Sequence, residues 1–291
     1  MSEPSPSTAQ AAASSRAIGK WVAILFICSA AFTVTDLSYG SRLVRFGREL
    51  LMQRVTAGHY EILSPKGALT PAAMAEFAAK REPLFATLNK KLGNAGSNAR
   101  IRIVFDPRLP PSPSTDLSQP TYSVDGTTIR TRLNGTNLRL PEAADAGALL
   151  YPSWGTPGNE QIARWIANWL VGDWRGSEIG MAAAQVEQRL GHKNVESLLV
   201  DPGAEIASPD DRTLLGAAWI SESAEFGGTA AVRKLYSAKM LHPNVAAVAK
   251  ALGTTPIELD RKWQLWIFAY LAGMPAAPSD SAMPMNMPMA Q

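Results

Sequence analysis

Glu160-Gln-Ile-Ala-Arg-Trp-Ile-Ala-Asn-Trp-Leu-Val171 is the stretch on which the reading of this chain turns. Its apolar residues Ile162, Trp165, Ile166, Trp169 and Leu170 recur at intervals of three and four, which places them along one face of a helix. Asn159 stands where a side-chain oxygen caps the first turn, and Gly172 where a left-handed residue ends the last. A stripe carrying two indoles must be covered, so the surrounding chain is expected to fold around this helix.

Enough chain is present for that. Of 291 residues, 46% are apolar, which suffices for one sizeable core with the terminal segments set aside. The 28 basic and 25 acidic residues, a net charge of +3, are spread along the sequence, so no nucleic-acid partner is expected. The single cysteine, Cys28, falls in an apolar N-terminal run. An intrachain disulfide, a cysteine zinc site and a thiol nucleophile are therefore excluded from the folded domain.

Residues 1–16 are rich in Ser, Ala and Pro without hydrophobic period, a disordered leader. Residues 17–36 contain the uncharged run Trp21 to Thr35 behind Arg16 and Lys20. With Lys20 snorkelling, the span reaches the roughly 17–20 residues that cross a bilayer, so the segment reads as a transmembrane anchor. A cleavable signal peptide has a similar outline, but no small-x-small cleavage site follows. Leu43, Phe46, Leu50 and Leu51 then recur at helical spacing, and residues 37–57 are expected to form a connecting helix.

Within residues 58–273, Gly58 to Pro65 alternates as a strand, and Thr70-Pro71 opens a helix to Leu92 that Pro83 should kink. Ile101, Ile103 and Phe105 mark a second strand. Five prolines between Asp106 and Gly126 suggest a long surface loop. Asn134-Gly135 between Thr128–Leu133 and Asn137–Leu140 signals a hairpin, which also accounts for the glycosylation-like Asn134-Gly-Thr136. The sheet is thus expected to have about four strands. Further helices are expected over Ser177–Leu190, from Ser208-Pro-Asp-Asp211 to Phe226, through Val232 to Tyr236, through Val245 to Leu252, and from the capping box Thr255-Pro-Ile-Glu258 through Tyr270. Residues 274–291 form a Met- and Pro-rich tail of disordered composition. Its alternating thioethers at Met283, Met285, Met287 and Met289 are of the kind that suits Cu(I), against the default of a low-complexity end with no cofactor.

The order of these pieces resembles the peptidase MA-like (gluzincin) zinc peptidases. The strand at His59 to Leu63, the helix ending at Leu92-Gly93 and the strand Ile101 to Phe105 resemble their beginning. Glu225-Phe-Gly-Gly-Thr-Ala-Ala-Val-Arg-Lys-Leu-Tyr236 and Val248-Ala-Lys-Ala-Leu-Gly-Thr-Thr-Pro-Ile-Glu-Leu-Asp-Arg-Lys-Trp263 resemble their end. The resemblance implies a mostly helical α+β fold in which a small N-terminal sheet precedes a helical, zincin-like subdomain. It also implies an extracytoplasmic domain, although Arg42, Arg45, Arg48 and Arg54 weigh the other way by the positive-inside rule.

The family's reaction needs two His four residues apart, a Glu beside the first, and a later Glu ligand. In that frame Trp165 and Trp169 replace the His ligands and Ile166 the Glu. Neither an indole nor an alkyl group binds zinc or moves a proton at neutral pH. His59, His192 and His242, the only histidines, are not at ligand spacing. No metal and no catalytic residue is therefore expected, and the indoles either line a former cleft that holds a peptide or glycan by stacking or fill its volume. Trp219 and Glu222 resemble the Trp-x-x-Glu segment that brings the third zinc ligand, but aligning Glu225-Phe-Gly-Gly with the later family segment fits better and leaves Glu222 as an ordinary helix-surface or capping acid. Asp201, Glu205, Asp210 and Asp211 lack calcium-loop spacing and read as turn and cap residues.

The expectation is a single-pass, membrane-anchored binding, scaffolding or regulatory module of the cell envelope, with a peptide or protein as ligand. The rival is a hydrolase with a rebuilt, non-zinc site made from Glu160, Asp173, Glu178 and Glu222 around the cleft.

Overall fold

The computed structural model describes residues 49–107, 109, 122–132, 138, 140–200, 206 and 208–273. The expected leader 1–16, anchor 17–36 and tail 274–291 lie outside them, as do residues 37–48 of the connecting segment, the Asn134-Gly135 turn, Asp201 and Glu205. Among the described residues no helix is long and apolar enough to cross a membrane. The chain divides into two units, residues 1–52 and 53–291. In the first, Met52 N–H bonds Glu49 O at 3.2 Å.

The second unit is α+β and mostly helical, and its strands are concentrated toward its N-terminal end. β1 (Gln53–Ala57) runs antiparallel to β2 (Tyr60–Ser64), with Gly58 at φ +55° making the turn. This corrects only the last residues of the expected connecting helix: Gln53, Val55 and Ala57 alternate, and pairing with β2 satisfies the backbone over residues 53–57. α1 (Pro71–Lys91) follows, capped by Thr70 Oγ1 accepting from Ala73 N at 3.2 Å and continuous through Pro83. β3 (Ile101–Phe105) then joins β2 in parallel.

A second correction concerns the next hairpin. Residues Tyr122–Asp125 are not loop but β4, and they pair antiparallel with β5 (Thr128–Thr131). The turn is Gly126-Thr127, with Gly126 at φ +58°. Asp125-Gly126 is as good a hairpin signal as Asn134-Gly135 and lies nearer the alternating residues on both sides. Among the described residues the sheet therefore has five strands in the order β1-β2-β3-β5-β4, mixed in direction.

The sequence had marked no element where α2 (Glu142–Trp154) forms. It is Ala-rich, with Ala144, Ala146, Ala148, Leu149 and Leu150 buried on several sides, so no single apolar stripe announces it. α3 (Glu160–Val171) lies where expected. Asn159 Oδ1 accepts from Ile162 N at 3.1 Å, and Gly172 ends the helix in the left-handed conformation. A short hairpin of β6 (Asp173–Trp174) and β7 (Ser177–Glu178) delays α4 to Ile179–Leu190.

α5 (Val195–Leu199) precedes α6 (Pro209–Ser237), whose two limbs are divided at Gly228, φ +65° and ψ −179°. That division falls where Gly227-Gly228 was expected to stop the helix. α7 (Val245–Leu252) and α8 (Pro256–Gly273) complete the fold. α3 packs on α2 and α6, while α8 packs on α4, α6 and α7.

Candidate functional site: a cleft at the end of α3

Two consecutive indole positions on α3 meet different surroundings. Trp165 is 1% exposed and meets Trp219 of α6 edge to face, with centroids 6.2 Å apart. Gly216 makes room for it, because a Cβ there would stand 2.5 Å from Trp165 Cγ and closer still to other ring atoms. Ile166 is fully buried beside it. One turn later Trp169 is only half-buried and lines a cleft of about 420 Å³.

The cleft lies between the C-terminal end of α3, the start of α4 and the middle of α6. Its walls are Trp169, Leu170, Gly172, Glu178, Ile179, Gly180, Ser221 and Thr229, with Lys91 from the end of α1. Lys91 Nζ donates to Leu170 O at 2.6 Å and Val171 O at 3.4 Å, and so caps carbonyls that the helix leaves unpaired. Glu178 Oε1 accepts from the Tyr270 hydroxyl at 2.8 Å. Gly180 lets Tyr270 approach, since a Cβ there would stand 2.7 Å from Tyr270 Cε2. Burial, with the Glu178 carboxylate beside it, pushes the Tyr270 hydroxyl up to about 12. Trp266 lies against Tyr270 at 4.7 Å, and its indole N–H donates to Glu225 Oε2 at 2.8 Å.

Glu222, expected from the sequence as a helix-surface or capping acid, is instead buried on α6, 3% exposed. Ser223 Oγ donates to its Oε2 at 3.3 Å. Burial pushes its carboxyl up to about 7, against a smaller downward pull from Ser223 and Lys262. Trp219 is fully buried, and its indole N–H has no partner among the described residues.

The carboxylates named from sequence do not converge. Of Glu160, Asp173, Glu178 and Glu222, only Glu178 lines the cleft. Glu160 is exposed in the first turn of α3, at the opposite end of that helix. Asp173 is exposed and accepts from Gly176 N at 2.8 Å within the short hairpin. Among the described residues no three His, Cys, Asp or Glu side chains gather as a metal site. His59 pairs with Glu82 at 2.8 Å, and His192 with Glu187 at 3.1 Å.

Sequence reasoning missed a buried polar triad outside the cleft wall. Arg81 bonds both carboxylate oxygens of the fully buried Asp145, and the Tyr60 hydroxyl donates to Asp145 Oδ1 at 2.8 Å. Arg81 Nη1 also donates to Leu140 O at 3.1 Å. The signal was legible: Arg81 interrupts the stripe Met74, Phe77, Ala78, Phe85 and Leu88, and a charge on a buried face requires a partner.

Compared with known protein families, characterised proteins and solved structures, the chain matches none. Its function rests on the residues themselves.

Proposed function

We propose that this chain is a membrane-anchored, non-catalytic, zincin-like domain of the cell envelope that binds a peptide in the cleft at the end of α3. The observation that carries the reading is the fate of the helix on which the resemblance would place zinc. Trp165 and Ile166 stand buried against α6, and Gly216 is shaped to the indole. These side chains do not fit a zinc ion, because they offer neither nitrogen lone pair nor carboxylate. The volume that remains open lies one turn further on, around Trp169, and is of the size of ligand pockets, about 300–1,000 Å³. The uncharged run Trp21 to Thr35 supports the anchor.

One observation favours the hydrolase instead. A buried carboxyl held near neutrality, as at Glu222, is suited to taking and giving a proton. Glu222, however, is not part of the cleft wall.

Both readings are tested on the full chain purified in detergent, incubated with zinc and desalted. Metal below a tenth of an equivalent and no cleavage of casein support the binding module. One retained zinc per chain, or cleavage that E222Q abolishes, overturns it.

A further inference from the structure

We propose that the cleft recognises the side chain of a lysine or arginine in its peptide ligand, an inference that rests on the binding-module reading above. Trp169, Leu170 and Ile179 provide an apolar wall for an aliphatic stem. The face of an indole also attracts a cation, which a neutral stem would not exploit.

Charge selects the same class. The wall contains the end of α3, whose last carbonyls carry the negative pole of the helix. Lys91 occupies that pole, its ammonium donating to Leu170 O and Val171 O, so the pole and the lysine offset each other within the chain. With Lys91 so engaged, Glu178 is the carboxylate of the wall left for a ligand's charge. The Tyr270 hydroxyl donates to Glu178 Oε1 at 2.8 Å and so restrains the carboxylate. Ser221 and Thr229 add hydroxyls that accept from an ammonium or guanidinium. A stem of methylenes ending in a cation satisfies the apolar wall, the indole and the carboxylate together.

The test uses the full chain in detergent and capped, fluorescently labelled pentapeptides of alanine with one central residue, either lysine, norleucine or glutamate. Fluorescence anisotropy should show the lysine peptide binding at least about tenfold more tightly than norleucine, and more weakly as salt rises. E178Q, which keeps an acceptor for Tyr270 but removes the charge, should reduce lysine-peptide affinity about fivefold while far-UV circular dichroism stays unchanged. Trp169→Leu should weaken the lysine peptide more than the norleucine peptide, as loss of the indole's attraction for the cation requires.

Equal binding of lysine and norleucine, tighter binding of glutamate, no binding of any of the three, or indifference to E178Q overturns the inference. Equal binding leaves the binding-module reading standing, whereas retained zinc or proteolysis in the preceding assay removes that reading itself.

Discussion

Gly216→Ala should destabilise the domain, although in an ordinary helix the same change stabilises it. Replacing a helical glycine by alanine gains about 1 kcal/mol from backbone entropy. Here the added methyl would stand 2.5 Å from Trp165 Cγ, where carbon atoms normally rest about 3.5–4.0 Å apart. Trp165 cannot swing aside, because it is 1% exposed and Trp219 closes it off at 6.2 Å. Overpacking of a filled core costs about 1–3 kcal/mol. With the ring face itself in the way, the upper end applies, so a net loss of about 2 kcal/mol remains after the entropic gain.

Trp165→Leu alone opens a cavity and should cost about 2–4 kcal/mol. In the double variant the alanine methyl occupies part of that cavity, so the combined loss should fall short of the sum by at least about 1 kcal/mol. Urea unfolding followed by circular dichroism measures each midpoint, and an unchanged slope certifies that stability is what moved. A Gly216→Ala protein as stable as the parent, or strictly additive effects, would refute the packing of α3 on α6 described above. The proposal that an indole stands where the resemblance would place a zinc ligand would lose its structural support with it.

Two further outcomes are expected. Asp145→Ala should cost about 3–5 kcal/mol in the same assay, because it strands the Arg81 guanidinium and the Tyr60 hydroxyl in the core, while Asp145→Leu combined with Arg81→Met should cost much less. Glu222 binds its proton more tightly in the folded protein, at about 7 against an ordinary 4.5, so its contribution is complete at low pH and is lost as pH rises through 7. Over that window stability should fall by on the order of 3 kcal/mol, and midpoints for E222Q, measured in urea from acid to neutral pH, should lack this component.

Much of the helical architecture was legible because its signals are local. Asn159 and Gly172 bound α3, Thr70 and Pro71 open α1, Ser208 and Pro209 open α6, and Gly228 breaks it. Each acts within a turn of its own position, by a cap hydrogen bond, a fixed φ or freedom at positive φ. The strands were less legible because pairing is not local. Tyr122–Asp125 becomes β4 only through β5, and Gln53–Ala57 becomes β1 only through β2. α2 escaped notice because burial on several sides erases the one-faced pattern that reveals an amphipathic helix.

The site divides in the same way. Sequence alone determined that residues 160–171 form a capped helix with indoles four residues apart, and that no metal donor stands where the resemblance would place one. Only the tertiary structure decided that Trp165 is sealed against Gly216 while Trp169 borders open space, that Glu178 rather than Glu160 or Asp173 reaches that space, and that Arg81 meets Asp145. The reason is distance along the chain. Caps and periodicity act over a few residues, whereas a cleft is enclosed by side chains from α1, α3, α4 and α6, whose meeting depends on the packing of the whole core.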